Sequence, residues 1–457
     1  MSIRRILIAN RGEIATRIIR TCRQLGIESV LTASAADRDA VPARLADRTL
    51  CIGPARPTES YLKVETIVQA ALGVKADAIH PGYGFLSERA ALAKMCEEEG
   101  VVFIGPTAAQ IDAVGDKLRA RAEAEVAGVP VVPGGAVATL DEARTVARTV
   151  GAPLLVKAVG GGGGRGMKRV ESLEELPAAL ELAAAEAGAA FGDSRVYLER
   201  FVTHGRHIEV QVLGDGAGRV VHLGERDCSV QRRYQKLVEE TPAPALGEDL
   251  RRRLHAAAVR FAQRLSYRGA GTVEFLVDAS SGEFFFLEMN ARIQVEHPVT
   301  EAVTGVDLVA EQIAIAAGEG LRIAQHDIEL RGCAIECRVN AEDPAHDFRP
   351  SPGRVQAVRW PSGPGIRVDT HIAAGSSVPP FYDSLLAKII SHAPERGAAL
   401  AGLRQALGAT HVVGVATNLG FHAALLDEPE FQAGAVDTGF VARLLERGLP
   451  STETHHG

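Results

Sequence analysis

Polar and apolar side chains alternate without interruption along residues 288–296, and His297 follows. If this segment is an extended strand, its polar side chains share one face, because successive side chains of a strand point to opposite faces. That face would carry two carboxylates, two amides and one guanidinium, from Glu288, Asn290, Arg292, Gln294 and Glu296. Carboxylate and amide oxygens bind hard divalent cations, and a guanidinium binds planar anions in a bidentate manner. The alternation therefore predicts a metal ion beside a small anion.

A second carboxylate lies upstream in a predicted hairpin. Residues 273–277 and 284–287 are apolar runs separated by a turn rich in serine and glycine. A hairpin folded about Ser281 would place Glu274 opposite Glu288, with Cβ atoms about 4.5–5.5 Å apart. Two carboxylates at that distance in apolar surroundings repel unless a cation lies between them. The pair strengthens the metal prediction, with Asn290 as a third oxygen ligand. The alternative is an edge hairpin whose acids face water, which the neighbouring Phe and Leu residues disfavour.

Composition narrows the class of protein. The chain has 457 residues and a net charge of −7 with acids and bases interspersed, which does not suggest a nucleic-acid partner. No apolar run approaches membrane-spanning length, and the N-terminus lacks the apolar segment of a signal peptide. None of the six cysteines forms a Cys-x-x-Cys pair. Free thiols in the cytoplasm are therefore expected rather than a cysteine metal site.

The chain divides into several predicted units. Residues 1–113 alternate apolar runs with amphipathic segments, the βαβ pattern of a parallel sheet. The segments 10–13 and 80–88 follow strands of that sheet, so we expect them to share its ligand-binding edge. No Gly-x-Gly-x-x-Gly follows the first strand, which disfavours a nicotinamide cofactor. A helical connector is predicted over 114–130, a compact second unit over 131–202, a third unit over 203–448, and a disordered polar tail over 449–457.

A run of glycines in the second unit follows a predicted strand. Gly160 to Gly164 come directly after an apolar segment that contains Lys157. A loop without side chains can wrap a phosphate chain with its N–H groups, and a lysine in an apolar strand needs an anionic partner. The run lacks the Gly-Lys-Ser/Thr of a Walker A loop. A phosphate-covering lid is predicted, with a flexible linker as the alternative.

Three further features are weak when taken alone. The charged segment 225–236 reads as a solvated loop, and His207 reads as a structural histidine. Arg338 lies in a predicted strand over 334–341, as a surface candidate.

Taken together, blocks at 6–15, 80–88, 160–166, 225–240, 288–300, 336–344 and 381–385 resemble biotin carboxylase, an ATP-grasp ligase. The resemblance covers nearly the whole chain in the correct order. It implies an α/β and α+β protein: a pre-ATP-grasp parallel-sheet N-terminal domain, an ATP-grasp lid and a C-terminal mixed-sheet domain. It also implies formation of carboxybiotin from biotin, bicarbonate and ATP with Mg²⁺ or Mn²⁺.

The resemblance places roles on individual residues. It implies catalytic roles for Lys236, Arg292, Glu296 and Arg338. Bicarbonate binding is implied for Lys236, Arg292, Gln294, Val295 and Glu296, metal binding for Glu274, Glu288 and Asn290, and biotin binding for Tyr83 and Arg338. ATP binding is implied for Lys117, Lys157, Gly162, Gly163, Gly164, Arg165, Gly166, Glu199, Arg200, Val202, His207, Gln231, Glu274 and Glu288.

The resemblance also implies partners. The chain carries no Met-Lys-Met biotinylation motif and no carboxyltransferase region. The biotin carboxyl carrier protein and the carboxyltransferase are therefore expected on separate chains, or else have been cut away, and a homodimer is expected. An acetyl-CoA or other acyl-CoA carboxylase is the favoured complex. The alternatives are a pyruvate, 2-oxoglutarate or urea carboxylase, or a non-catalytic nucleotide-binding regulator. Tyr234 stands where many bacterial members have His, which puts one nucleotide contact in doubt.

Overall fold

A computed structural model describes residues 2–160 and 167–448. Five parallel strands form the first sheet, in the order β3-β2-β1-β4-β5. They are β1 (Arg5–Ile8), β2 (Glu28–Ala33), β3 (Arg48–Cys51), β4 (Ala78–His80) and β5 (Val102–Phe103). The central strand β1 pairs in parallel with β2 and with β4. The predicted parallel sheet is confirmed.

The helices of this unit are α1 (Gly12–Gln24), α2 (Val41–Leu45), α3 (Val64–Gly73) and α4 (Ala90–Glu98), with a 3₁₀ turn at Pro57–Glu59. Helix α1 buries Ile14, Ile18 and Ile19, the apolar stripe expected from its sequence. Leu25 is 43 % exposed. It follows the last helical residue, and Gly26 has a positive φ of 69° that turns the chain away.

The predicted helical connector consists of two helices, α5 (Ala108–Gly115) and α6 (Lys117–Val126). Asp116 separates them in an extended conformation, and its side chain accepts a hydrogen bond from the backbone N–H of Arg119. A carboxylate in this position caps the second helix by satisfying a free N–H group.

The second sheet has four antiparallel strands in the order β6-β9-β7-β8. Its strands and helices are β6 (Gly134–Val137), α7 (Leu140–Val150), β7 (Leu154–Ala158), β8 (Met167–Val170), α8 (Leu176–Phe191) and β9 (Val196–Arg200). Side chains such as Ala147, Val156 and Leu198 form a small separate core between sheet and helices. The predicted phosphate-covering residues Gly162 to Gly166 lie outside the described residues.

The largest sheet has eight antiparallel strands in the order β14-β13-β10-β11-β12-β15-β22-β20. Its first part contains β10 (Gly205–Asp215), β11 (Val220–Arg232), β12 (Gln235–Thr241), α9 (Glu248–Arg264), β13 (Arg268–Asp278), β14 (Phe284–Asn290), α10 (His297–Thr304), α11 (Leu308–Ala316) and β15 (Cys333–Asn340). The remaining elements are β16 (Glu342–Asp343), β17 (Arg349–Pro350), β18 (Gly353–Arg354), β19 (Ala357–Arg359), β20 (Ile366–Thr370), β21 (Ser377–Val378), β22 (Leu385–Ala393), α12 (Arg396–Ala409), β23 (His411–Val413), α13 (Leu419–Asp427), α14 (Pro429–Gln432) and α15 (Phe440–Glu446), with 3₁₀ turns at Gln325–Asp327 and Pro344–His346.

Two sequence expectations are wrong in this sheet. Residues 225–236, read alone as a solvated loop, belong to β11 and β12, and Glu225 and Arg226 are fully buried. Their charges pair with other buried charges, which composition along the chain cannot reveal. The alternating segment is extended only to Asn290, where β14 ends, and a helix begins at His297. Pro298 in its first turn suits the start of that helix.

In the part of the chain that the structure describes, no helix is both long and apolar enough to cross a membrane.

Candidate active site

A cavity of about 1,220 Å³ opens where the three sheets meet. Its walls include segments 10–14 and 83–88, which follow strands of the parallel sheet as predicted. Asn10 joins the two segments, since its side-chain amide donates to the carbonyl oxygens of Pro81 and Tyr83 at 2.7 Å each. The cavity brings together most of the predicted site residues: Tyr83, Lys117, Lys157, Glu199, Arg200, Val202, His207, Gln231, Lys236, Glu274, Glu288, Asn290, Arg292, Gln294, Val295 and Arg338.

The predicted pairing of the two hairpin carboxylates is confirmed, because Glu274 lies opposite Glu288. The hairpin is not symmetric about Ser281, however. The register shifts after Glu274, so that Phe275 pairs with Phe286 and Leu287 is left over. This extra residue is a β-bulge, and without it Glu288 would face a different partner. The hairpin does form the edge of the sheet, but Phe284, Phe285 and Phe286 are buried there.

Beyond β14 the polar side chains still converge, although the backbone is no longer extended. The Arg292 guanidinium donates to Asn290 Oδ1 and to Gln294 Oε1, both at 2.9 Å. The amide of Asn290 donates to Glu274 Oε1 at 2.9 Å. Arg292 also donates to Glu88 at 2.9 Å, which ties this loop to the N-terminal unit. Hydrogen bonds between side chains therefore hold these groups together beyond Asn290, whereas the sequence predicted that an extended strand would place them on one face.

Lys236 lies at the centre of three carboxylates. Its Nζ is 2.5 Å from Glu209, 2.7 Å from Glu296 and 3.0 Å from Glu274. Burial alone would raise the pKa values of Glu274 and Glu296. The Lys236 ammonium group, together with His207 beside Glu274 and with Arg338 and Arg226 beside Glu296, holds both pKa values below their usual range. Burial alone would lower the pKa of Lys236, but the carboxylates raise it well above its usual value. Glu296 is therefore ionised and held 2.9 Å from Arg338 as well.

Sequence reasoning missed Glu209, although it shows the same signal as the 288–296 segment. His207, Glu209 and Gln211 alternate with buried apolar residues along β10. Glu209 also accepts a hydrogen bond at 2.5 Å from Arg226, which is fully buried. His207 lies 3.1 Å from Glu274. Burial lowers the pKa of His207, and the carboxylate more than compensates, so the net shift is upward.

Lys157 was predicted to need an anionic partner, and its partner in the structure is a carboxylate. Its Nζ is 2.7 Å from Glu199 on the neighbouring strand β9. Arg121 approaches the other oxygen of Glu199 at 3.0 Å. Lys117 also lines the cavity, where it lies 3.7 Å from Glu288. Two lysines thus line the cavity, with charge available for a phosphate chain.

Tyr83 belongs to a second buried network at the edge of the cavity. Its hydroxyl donates a short hydrogen bond to Glu13. Glu13 also lies 3.0 Å from Nζ of Lys388, which is fully buried and donates to the carbonyl oxygen of Val295 at 2.7 Å. Glu13 belongs to the segment 10–13 that was expected at the ligand-binding edge, whereas Lys388 was missed because it is a single charge in an apolar strand. Tyr234 is 56 % exposed at the cavity mouth, with φ of 64° in the turn after β11.

Comparison with known protein families accounts for almost the whole chain. Residues 2–111 match the biotin carboxylase N-terminal domain, and residues 336–443 match the biotin carboxylase C-terminal domain. Residues 116–324 match the ATP-binding domain of the carbamoyl-phosphate synthase L chain. The biotin carboxylase of Nostoc sp. is 51 % identical over 446 residues, which is 97 % of this chain and 100 % of that protein.

The chain belongs to the biotin carboxylase family.

Other members of the biotin carboxylase family serve different enzymes. A pyruvate carboxylase subunit of Methanothermobacter thermautotrophicus is 48 % identical over 96 % of this chain and 89 % of that protein. Among solved structures, the biotin carboxylase domain dimer of Hydrogenobacter thermophilus 2-oxoglutarate carboxylase, in complex with MgADP, ADP and bicarbonate, superposes with a TM-score of 0.94. It is 44 % identical, and the match covers 98 % of both chains. The predicted family, fold class and type of enzyme, an ATP-grasp ligase, are confirmed.

The residues at the hairpin fit the magnesium ion that the biotin carboxylase family implies. Glu274 and Glu288 oppose each other across the hairpin, and both line the cavity. Asn290 offers an amide oxygen in the same place. This all-oxygen donor set is the kind that Mg²⁺ prefers. The side chain of Glu288 remains 34 % exposed, and its one ion pair among the described residues is the 3.7 Å contact with Lys117. The Glu288 side chain therefore faces the cavity in a position where it could bind a cation.

Proposed function

We propose that the protein carboxylates biotin with bicarbonate and ATP, the first half-reaction of a biotin-dependent carboxylase. The observation that carries the proposal is the convergence of Lys236 and Arg338 on Glu296, at 2.7 Å and 2.9 Å, beside Arg292 and the opposed carboxylates. Binding an anion, removing its proton and stabilising a second developing anion require this set of charges. The homologous structure that contains MgADP and bicarbonate supports the choice of substrates.

Bicarbonate would bind at Arg292 beside Gln294, Val295 and Lys236. A guanidinium can hold the planar anion with two parallel hydrogen bonds. Glu296 is ionised and lies beside Lys236 and Arg338, so it is the candidate acceptor of the bicarbonate proton. The bicarbonate oxygen then attacks the γ-phosphorus of ATP, the bond to the ADP oxygen breaks, and carboxyphosphate and ADP form. Lys236 offsets the electrostatic repulsion between the two anions, bicarbonate and the γ-phosphate of ATP.

The nucleotide would occupy the end of the cavity that carries Lys117 and Lys157. The segment 199–202, with Glu199, Arg200 and Val202, lies at the adenine side by resemblance, and His207 and Gln231 face the same cavity. We propose residues 131–202 as the lid that excludes water, with Gly162, Gly163, Gly164, Arg165 and Gly166 covering the phosphates. Glu274, Glu288 and Asn290 would hold Mg²⁺ or Mn²⁺, which when bound neutralises charge on the phosphates.

Biotin would bind between Tyr83 and Arg338. Carboxyphosphate releases CO₂ and phosphate, the released phosphate accepts the N1 proton of biotin, and the N–C bond to CO₂ forms. Arg338 is suited to stabilise the oxyanion that the ureido oxygen becomes. The biotin would be carried on a biotin carboxyl carrier protein, with the carboxyltransferase on another chain. A cytoplasmic homodimer is proposed, and the homologous domain dimer supports the dimer.

An acetyl-CoA or other acyl-CoA carboxylase is the complex that we favour. A pyruvate or 2-oxoglutarate carboxylase is the second candidate, because relatives of both kinds match over nearly the full chain. These complexes share the half-reaction proposed here and differ in the carboxyltransferase. Isolation of the tagged chain from its native source, followed by assay of the co-purifying transferase with each acceptor, tests the choice. Carboxylation of pyruvate but not of acetyl-CoA would overturn the acyl-CoA assignment.

The half-reaction itself is tested by bicarbonate-dependent ADP release with free biotin. Biotin should stimulate the release, and Glu296→Gln should abolish the stimulation while leaving ATP binding largely intact, because the variant keeps the shape of the side chain but removes the base. Glu311→Gln is a matched control. Glu311 is a buried glutamate that does not line the cavity, and its carboxylate lies 2.7 Å from Arg322. ATP binding without any turnover would favour the alternative of a regulatory protein.

A further inference from the structure

Two fully buried carboxylates, Glu239 and Glu336, lie behind Arg338. They are directly paired residues on the neighbouring antiparallel strands β12 and β15, and both have zero exposure. Directly opposed side chains have Cβ atoms about 4.5–5.5 Å apart. Neither was predicted as a site residue, and the half-reaction proposed above uses neither of them.

The hydrogen bonds of the two carboxylates are very unequal. Oε1 of Glu239 accepts from Nε of Arg338 at 2.6 Å. The second oxygen of Glu239 and both oxygens of Glu336 are buried without a hydrogen bond from any donor in the described residues. Three buried acceptor oxygens without a donor are unfavourable, and one proton placed on Glu336 would provide the missing donor.

The surrounding charges favour a neutral Glu336. Burial raises its pKa well above the usual value, and the Glu239 and Glu296 charges add to that rise against Lys388 and Arg338. Burial likewise raises the pKa of Glu239 to about 7, although the Arg338 charge opposes the rise. Other titratable side chains that interact with the pair are Lys236 on β12, Lys388 on β22, Cys228 on β11 and Cys337 on β15. His297 begins helix α10, which packs against both strands. Burial lowers the pKa of His297, so its ring adds no positive charge.

We propose that Glu239 and Glu336 hold one proton between them, and that Glu239 is thereby the positioning residue for Arg338. This inference rests on the proposed function. Arg338 is held from two sides, by Glu239 and by Glu296 at 2.9 Å. When Glu296 accepts the bicarbonate proton, its attraction for the guanidinium weakens. Glu239 remains as the anion that keeps Arg338 aimed into the cavity, provided that Glu336 stays neutral. No group in the described part of the chain replaces Glu239 on that side.

Three variants of the full chain test this inference. Glu239→Gln removes the charge behind Arg338 and should lower kcat/KM for biotin about 10-fold, because a charge-assisted hydrogen bond becomes a neutral one of roughly half the strength. The KM for ATP should not change. Glu336→Gln imitates the neutral carboxylic acid, so it should retain the rate near neutral pH and should lose the decline at alkaline pH that ionisation of Glu336 produces. Glu311→Gln serves as the control for removing a buried carboxylate elsewhere.

The infrared spectrum provides a readout that does not depend on activity. The wild-type protein should show the carbonyl stretch of a protonated carboxyl group that is absent from Glu336→Gln and retained in Glu311→Gln. Loss of activity in Glu336→Gln equal to that in Glu239→Gln, with no such band assigned to Glu336, would overturn the inference. If the wild type shows no biotin-stimulated ADP release, the proposed function fails, and the infrared band still decides whether the pair shares a proton.

Discussion

Replacing Lys236 by methionine removes one positive charge from the point where three carboxylates meet. The two side chains are of similar length, so the change is mainly electrostatic. Glu209, Glu274 and Glu296 all lie within 3.0 Å of the lysine nitrogen, and all are buried. Removing one partner of a buried ion pair destabilises a protein by about 3–5 kcal/mol, because the remaining charge is left without compensation. We expect a loss of this size in the free energy of unfolding near neutral pH.

The loss should depend on pH in a defined direction. In the wild type, the pKa values of Glu274 and Glu296 are depressed, so ionisation of these groups stabilises the folded protein at pH values above the usual carboxyl pKa. That stabilisation is lost as the pH falls. Without the ammonium group, both pKa values rise relative to the wild type, because one of the positive groups that oppose burial is gone. The variant therefore loses part of the stability that ionisation of these two carboxyl groups contributes as the pH rises. The difference between wild type and variant should therefore be small at strongly acidic pH, should grow as the pH rises through the usual carboxyl range near ~pH 4.5, and should be largest above that range.

Urea unfolding followed by tryptophan fluorescence measures this difference, because the single tryptophan, Trp360, packs against the core of the eight-stranded sheet. Lys168→Met is the matched control. Its ammonium lies 2.9 Å from Glu186, but the two side chains are 31 % and 45 % exposed. An exposed pair of this kind contributes about 0–1 kcal/mol. A Lys236→Met loss no larger than that of the control, or a loss that does not change with pH, would refute the electrostatic account of the site.

Three further changes address other parts of the molecule. Thr107→Ala removes a capping box with Gln110 at the start of α5 and should reduce the free energy of unfolding by about 1 kcal/mol, whereas Thr107→Ser should restore most of it; equal loss in both would contradict the capping role. Phe261→Ala empties a fully buried position on α9 and should lower the free energy of unfolding, measured with heat or urea, by about 3–5 kcal/mol. A loss below about 1 kcal/mol would mean that neighbouring side chains move in to fill the cavity. Burial raises the pKa of Glu225, but the hydrogen bond from His255 at 2.6 Å and nearby positive charge lower it to about 2. Its ionisation should therefore contribute up to about 3 kcal/mol above pH ~4.5, lost as the pH falls towards ~2, and Glu225→Gln should flatten that part of the acid-stability profile.

The parallel sheet and the hairpin were predictable from the sequence because local patterns encode them. Apolar runs separated by amphipathic segments identified the strands around β1 and the helix α1 within a few residues. Counting outward from the turn placed Glu274 opposite Glu288, and the register confirms it. The count succeeded only because a bulge at Leu287 compensated for a turn centred half a residue earlier. Sequence periodicity does not encode such a bulge.

Segments rich in charge were predicted poorly because the environment of a charge depends on distant residues. The segment 225–236 has the composition of a solvated loop, but Arg226 is buried against Glu209 and Gln211 from another strand. Polar alternation along β10 was the available signal for Glu209, and it is the same signal that identified Glu288 and Asn290. No comparable alternation of polar residues identifies Glu239 and Glu336. The two residues become neighbours only because β12 pairs with β15 in the folded protein.

The sequence by itself determined the family of this protein, the chemical groups at its site and the sheet edge where they gather. Residue types and short-range spacing are sufficient for that, because secondary structure has fixed periods. Only the tertiary structure decided which charge neutralises which. Lys236 reaches three carboxylates from three different segments, and Lys157 pairs with Glu199 from a neighbouring strand. Electrostatic interaction in a buried site depends on distances of a few ångströms between residues far apart in the chain, and folding alone sets those distances.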